Sequence, residues 1–369
     1  MKALLLSCST GGGHNSTAAA IGAVLEREGN RWEAVNVLGF LPPSAAEFIT
    51  KGHEFSYRHM PKLYGVGYRY EEKHPPVRMN RQIIRGADQL AEAIRDRQPD
   101  VILCVHVFAA MMVTELRRRG ELSLPACFIA TDYTCSPGVG QLDVDRFLIP
   151  HAALRDEFIA AGVPADRIEA AGLPVRPEFT EHRDRAALRR SLGVPEGGRL
   201  LVMAGGSMGC GPIPQIAGLL APRLRPEDRL MVVCGSNRSM YRRLAAVFRR
   251  SKKVRILGYT KDMAHLVCAA DLLITKAGGL STTEAVAAGT PLLYINAVPG
   301  CESRNLQFMT SRGYAAAGRS GLEVAVRAVE LLEEPAGLEA MVARRRTGAF
   351  PEHAAEAVCR IAAELAEHN

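Results

Sequence analysis

Short apolar runs alternate with longer stretches in which apolar residues return at helical spacing. Ala3–Ser7, Ala34–Val37, Val101–Val105, Ala126–Ala130 and Phe147–Ile149 read as strands. A second set follows at Leu200–Ala204, Leu230–Cys234, Val254–Leu257, Leu272–Thr275 and Leu292–Ile295. Helical patterns fall between most of them, as at Ser16–Glu28, Ala152–Ala161 and Thr282–Ala288. Strands that are apolar throughout, alternating with helices, predict parallel sheets covered on both faces. The fold class is therefore α/β, with two doubly wound, Rossmann-like sheets. Gly172-Leu173-Pro174-Val175-Arg176-Pro177, rich in turn formers, marks the crossing between them. Expected bounds are 1–171 for the first domain, 172–351 for the second, and a last helix, 352–369, returning to the first.

A chain of 369 residues with 47% hydrophobic and 23% charged positions suits two soluble globular domains. The apolar run at Leu4-Leu5-Leu6 passes straight into a glycine loop, so it reads as a buried strand and not as a signal peptide. No apolar stretch approaches the roughly 20 residues that cross a bilayer. The nine cysteines are scattered without a CxxC pair, which points to reduced core residues of a cytoplasmic protein. A net charge of +7 favours an anionic partner. Nucleic acid is the weakest of these, because no binding module for it is present.

Three glycine-rich turns carry the candidate chemistry, each between a strand and a helix, where backbone N–H groups and the helix dipole attract anions. The first is Ser9-Thr10-Gly11-Gly12-Gly13-His14, with His14 placed to act as a general base or as a helix cap. The second is Gly205-Gly206-Ser207-Met208-Gly209. The third, Lys276-Ala277-Gly278-Gly279-Leu280-Ser281-Thr282-Thr283-Glu284, is the most specific. Its hydroxyls suit phosphate oxygens, and Glu284, expected in the first helical turn or so, suits the two hydroxyls of a ribose. Glu302 and Asn305, three apart on one helix face, suit sugar hydroxyls. His106 and Asp132 follow strands of the first half and suit either an acceptor site or simple capping, and Asp132 is also a candidate to orient a catalytic base. No acidic pair of the kind that holds a divalent ion stands at a strand end.

These motifs resemble the family of monogalactosyldiacylglycerol synthases and processive diacylglycerol glucosyltransferases, and more distantly the N-acetylglucosaminyltransferase that forms lipid II. The resemblance rests on Gly11-Gly12-Gly13-His14, on Thr275 to Glu284, and on Pro299-Gly300-Cys301-Glu302-Ser303-Arg304-Asn305. It implies a GT-B fold with two domains facing a central cleft, inversion at the sugar, and no required metal or other cofactor. UDP-glucose or UDP-galactose would be the donor, and diacylglycerol or another membrane lipid the acceptor. By the same resemblance Glu284 would hold the ribose. Gly279 and Ser281 would lie near the diphosphate, Glu302 and Asn305 would hold the sugar, and Ser207 and Met208 would lie in the nucleotide cleft. His14, with Gly12, Gly13, His106 and Asp132 around it, would serve the acceptor side. The segment Phe48–Arg85, with aromatics interleaved among lysines and arginines, resembles the part of such enzymes that meets the membrane. The expected location is the inner face of the cell membrane, by peripheral association with its anionic surface. The stretch Thr131-Asp132-Tyr133-Thr134-Cys135-Ser136-Pro137 departs from the characterised galactosyltransferases. It leaves open a UDP-sugar epimerase, or an enzyme of the same fold with a non-lipid acceptor.

Overall fold

The computed structural model describes residues 1–9, 12–59, 66, 77–181, 184–295, 297 and 299–368, excluding the side chains of 53–59 and 77–80. They divide into two compact units, one of residues 1–176, 298–301 and 349–369, the other of residues 177–297 and 302–348.

In the first unit β1 (Lys2–Ser7), β2 (Arg31–Asn36), β3 (Val101–Cys104), β4 (Ala126–Ile129), β5 (Arg146–Leu148) and β6 (Ile168–Glu169) form one sheet. Its order is β2-β1-β3-β4-β5-β6 and every pairing is parallel. In the second, β7 (Leu200–Ala204), β8 (Arg229–Val233), β9 (Val254–Leu257), β10 (Leu272–Thr275), β11 (Leu292–Tyr294) and β12 (Ala316–Ala317) run in the order β12-β11-β10-β7-β8-β9, again parallel. Both sheets reverse direction once: between β1 and β3, and between β7 and β10. Helices on either side of each reversal lie on opposite faces, which leaves a crevice at the carboxyl ends of those strands.

The inner strands of each sheet are apolar and buried almost throughout, because both faces are covered. Leu5, Val101 and Leu103 pack with Ile21, Val24 and Leu25 of the Gly12–Arg27 helix and with Val358 and Ile361 of the Ala354–Glu367 helix. The Cys359 thiol also reaches the carbonyl of Ile21 (3.7 Å). Helix and strand approach closely at Gly22, where a Cβ would stand 2.5 Å from the Trp32 ring. In the second unit Leu201, Met203 and Ile274 pack with Ile213, Ile216 and Leu220 of one helix and Val324 and Ala328 of another.

Two helices begin earlier than the apolar pattern predicts, at Gly12 instead of Ser16 and at Gly279 instead of Thr282. The glycines expected in the loops supply the first helical turn. Strands β6 and β12, two residues each, lie at sheet edges and leave no periodic trace.

Asp228 ties the start of β7 to the turn before β8. Its carboxylate is fully buried and accepts from the Arg199 side chain (2.6 Å), from Arg225 (3.0 Å), and from the backbone N–H groups of Arg199 and Arg225 (3.0 Å each). Burial opposes its ionisation, but the two guanidiniums and two amides outweigh burial and hold the carboxyl well below the usual range. A depressed folded-state pKa adds stability above the unfolded carboxyl's pKa, and that stability is lost as pH falls. Asp228→Asn is expected to lower unfolding free energy by about 3 kcal/mol near neutral pH. Denaturant titrations of both proteins should show the gap closing below about pH 4.

Candidate active site

The first glycine turn and His106 flank the reversal of the first sheet, following β1 and β3 respectively. His14 is the third residue of the Gly12–Arg27 helix and is half-buried, with Gly12 exposed beside it and Gly13 half-buried. Its Nδ1 lies 2.8 Å from the carbonyl of Val105 and 3.3 Å from Thr131 Oγ1. A carbonyl can only accept, so Nδ1 carries the hydrogen and the neutral ring keeps its lone pair on Nε2. The turn is braced by Asn15: Ser7 Oγ donates to its side-chain oxygen (2.8 Å), and its amide donates to Ser9 Oγ (3.2 Å).

His106 has the opposite tautomer. Its Nδ1 accepts from the N–H of Phe108 (3.1 Å) and caps the Val107–Arg118 helix, and its ring meets that of His14 edge-on at 4.6 Å. The capping reading of His106 is therefore realised, and the same ring buttresses His14. Asp132 lies half-buried on the bend after β4. On the Nδ1 side, the groups that orient His14 are Val105 and Thr131.

The other two glycine turns follow β7 and β10, the neighbouring strands at the reversal of the second sheet. The Gly205–Gly211 turn closes on itself, with Cys210 N–H donating to the Gly205 carbonyl (2.9 Å). Ser207 is exposed and Met208 half-buried at its tip. A further turn, Gly235-Ser236-Asn237 after β8, holds it from behind. Ser236 N–H donates to the Ser207 carbonyl (2.8 Å) and Asn237 Nδ2 to that of Gly209 (3.2 Å). Sequence reading passed over this support, although a Gly-Ser-Asn cluster directly after a strand is a turn signal. Gly206 has φ of +71°, and a Cβ there would stand 2.5 Å from Lys276 Cε. The lysine therefore lies across one glycine turn while belonging to the other.

The third turn leads into the Gly279–Ala287 helix, whose N-cap is Gly278. The first N–H groups of a helix have no partner within it, and a glycine cap offers no side chain to them. Lys276 Nζ pairs with Glu302 Oε1 at 2.8 Å, both largely buried. Glu284 sits in the second turn of the helix, half-buried, on the same face as Ser281 three residues earlier. It stands beyond the first turn, where the macrodipole would favour an acid. Dipole stabilisation therefore does not account for a carboxylate there.

Two of the residues expected at the donor site have partners within the protein. Thr282 is fully buried and its hydroxyl lies 2.8 Å from Tyr294 Oη on β11, so it joins helix to sheet. Asn305 is also fully buried, and its amide donates to the Ala277 carbonyl (2.9 Å). Glu302 and Asn305 do share one face of the Cys301–Ser311 helix, but both are turned toward the third glycine turn and brace it. Thr283 likewise returns its hydroxyl to the Gly279 carbonyl (2.9 Å), leaving Ser281 as the hydroxyl available near the helix start.

Two doubly wound units, each with glycine turns at its strand reversal, form the GT-B fold. The same fold occurs in the UDP-GlcNAc 2-epimerase from Neisseria meningitidis (TM-score 0.66, 12% identity, 99% of this chain and 100% of that one). It also occurs in Acinetobacter baumannii MurG (TM-score 0.64, 15% identity, 98% and 99%). Residues 14–175 match the monogalactosyldiacylglycerol synthase profile, and residues 200–307 match the glycosyltransferase family 28 C-terminal domain. Over that first stretch the chain is similar to the monogalactosyldiacylglycerol synthases. It is 28% identical over 255 residues to the processive diacylglycerol beta-glucosyltransferase of Bacillus subtilis, a match covering 68% of this chain and 64% of that protein. To the protein of the same name in Staphylococcus saprophyticus it is 23% identical over 374 residues, covering 100% and 94%.

Thr282→Val keeps the shape of the side chain and removes the hydroxyl. It is expected to cost about 1 kcal/mol of stability through loss of the hydrogen bond to Tyr294. Calorimetric titration with UDP should show an unchanged affinity; a clear loss would return Thr282 to the ligand site.

Proposed function

We propose that the protein is an inverting hexosyltransferase that moves a hexose from UDP-glucose or UDP-galactose to diacylglycerol, yielding a glycolipid. The observation that carries this reading is His14. A histidine fixed in one tautomer at a strand reversal, with its lone pair on Nε2, is the arrangement of a general base. A module that only binds nucleotide sugar has no need of it. The relatives named above support diacylglycerol as the acceptor, and the match to the glycosyltransferase family 28 C-terminal domain supports the donor side.

The chemistry follows from the residues. An acceptor hydroxyl forms a bond to the anomeric carbon while its proton passes to His14 Nε2. The bond from that carbon to the diphosphate oxygen breaks, and UDP leaves with the electron pair. The first N–H groups of the Gly279–Ala287 helix and the Lys276 ammonium suit the charge that grows on the diphosphate. Glu284 suits the ribose hydroxyls. The transfer proceeds without a divalent ion, because helix N-terminus and lysine supply the positive charge. No helix among the described residues is long and apolar enough to cross a membrane. The reading places the protein peripherally on the inner face of the cell membrane. The aromatic and basic stretch Phe48–Arg85 supports this only in part: Phe48 is 76% exposed, while residues 60–65 and 67–76 and the side chains of 53–59 and 77–80 lie outside what the structure describes.

His14→Ala is expected to lower kcat by roughly 10²- to 10⁴-fold at saturating acceptor. Turnover near that of the parent would remove His14 from the role of base. Activity should persist in excess EDTA, and its complete loss would overturn metal independence. Diacylglycerol liposomes incubated with each UDP-sugar, followed by lipid mass spectrometry, separate transfer from epimerisation: hexosyl-lipid is expected, and epimerised nucleotide sugar alone would contradict the proposal.

A further inference from the structure

The second unit carries a basic stripe that no part of the chemistry above uses. Residues 235–261 contain nine lysines and arginines and no acid. The whole chain has 46 basic and 39 acidic residues, so outside this stretch acids outnumber bases, 39 to 37. The net positive charge of the protein therefore resides in 27 consecutive residues.

The fold lays that stretch along one edge. The Arg238–Val247 helix connects β8 to β9, and β9 is the outermost strand. Met240 and Leu244 hold the helix to the sheet, so Arg238 and Arg242 fall on its outward side. Arg243, Arg249, Arg250 and Lys252 are exposed with them. Arg255 projects from the edge strand itself, and Lys261 follows it. Exposed among these cations are Tyr241 (40%), Val247 (67%) and Tyr259 (73%).

Structural arginines elsewhere in this unit meet acids: Arg185 and Arg189 pair with Asp271, and Arg199 and Arg225 with Asp228. Within the described residues the exposed cations of the stripe meet no carboxylate. A cation or two at a helix C-terminus suits the dipole, and one on an edge strand discourages pairing. Those needs account for Arg249 and Arg255 and leave the others unexplained. Cations interleaved with exposed aromatic and apolar side chains match an anionic bilayer surface: headgroups meet the charges and the interface takes the tyrosines.

We infer that this edge of the donor-side unit is a second membrane-contact surface, which binds the anionic headgroups of a bilayer independently of the Phe48–Arg85 stretch. It rests on the reading that the acceptor is a membrane lipid. Such a surface would hold the unit that carries the UDP-sugar against the bilayer in its own right.

The test is flotation of the full chain with vesicles of phosphatidylcholine alone and of equal parts phosphatidylcholine and phosphatidylglycerol. Each basic residue near an anionic surface adds roughly fivefold to partitioning. The variant Arg242→Glu, Arg243→Glu, Arg249→Glu, Arg250→Glu should therefore lose anionic-vesicle binding by about tenfold or more, with an unchanged melting temperature. The matching Arg→Lys variant should bind like the parent, because a headgroup layer reads charge and not guanidinium geometry. Parent-like flotation of the Glu variant overturns the inference, as does loss of binding in the Lys variant. So does salt-sensitive binding of a single-stranded RNA that the Glu variant loses while its flotation persists. Turnover on diacylglycerol dispersed in neutral detergent is the separate control. The Glu variant should match the parent there, and a parent inactive there counts against the transferase reading alone.

Discussion

A parallel sheet must be covered on both faces, and a chain that covers both must reverse its direction of winding once. That reversal is the constraint from which both candidate sites follow. At β1 and β3, and again at β7 and β10, adjacent strands send their chains to opposite faces, and the backbone beyond their carboxyl ends stays uncovered. Every glycine turn with candidate chemistry begins on a strand that borders a reversal. His106, which buttresses His14, follows the strand across from it.

Around those two places the remaining polar groups act mostly on the turns themselves. Asn305 is spent on the Ala277 carbonyl, Thr282 on Tyr294, Thr283 on Gly279, and Asn237 on Gly209. Beside them stand the main-chain N–H groups of the turns, Ser281, Glu284 and Lys276. Groups held this way need little reorganisation when charge develops nearby, which is how preorganised sites lower a barrier. The Lys276–Glu302 pair is part of the same arrangement. Its ammonium stands where both glycine turns of the second unit meet.

Much of this was legible in the chain. Fully apolar strands announce a parallel sheet, and glycines after a strand announce a turn, so the strand ends and turns fell where expected. Helix starts were misplaced because glycine reads as loop, whereas Gly12 and Gly279 open helices whose first turn tolerates them. The edge strands β6 and β12 are too short to show a period. Side-chain roles were the least legible. Thr282 looks like a phosphate donor until Tyr294, twelve residues on and in the next strand, is placed against it. Asn305 looks like a sugar ligand, and its bond to the Ala277 carbonyl shows only once the helix carrying it is placed. Residue type and spacing locate a site, but the partner that a hydroxyl or amide takes is set by which strands become neighbours.

The close approach of Gly22 to Trp32 has a practical side. Trp32 is the single tryptophan of the chain, and it is half-buried against the helix that carries His14. Intrinsic tryptophan emission is thus a local gauge. It registers loosening of the first unit, including any that begins at the His14 helix, and is silent while the second unit melts. Set beside far-ultraviolet circular dichroism, which sums over both sheets, it separates two unfolding events that a single spectroscopic curve would merge into one.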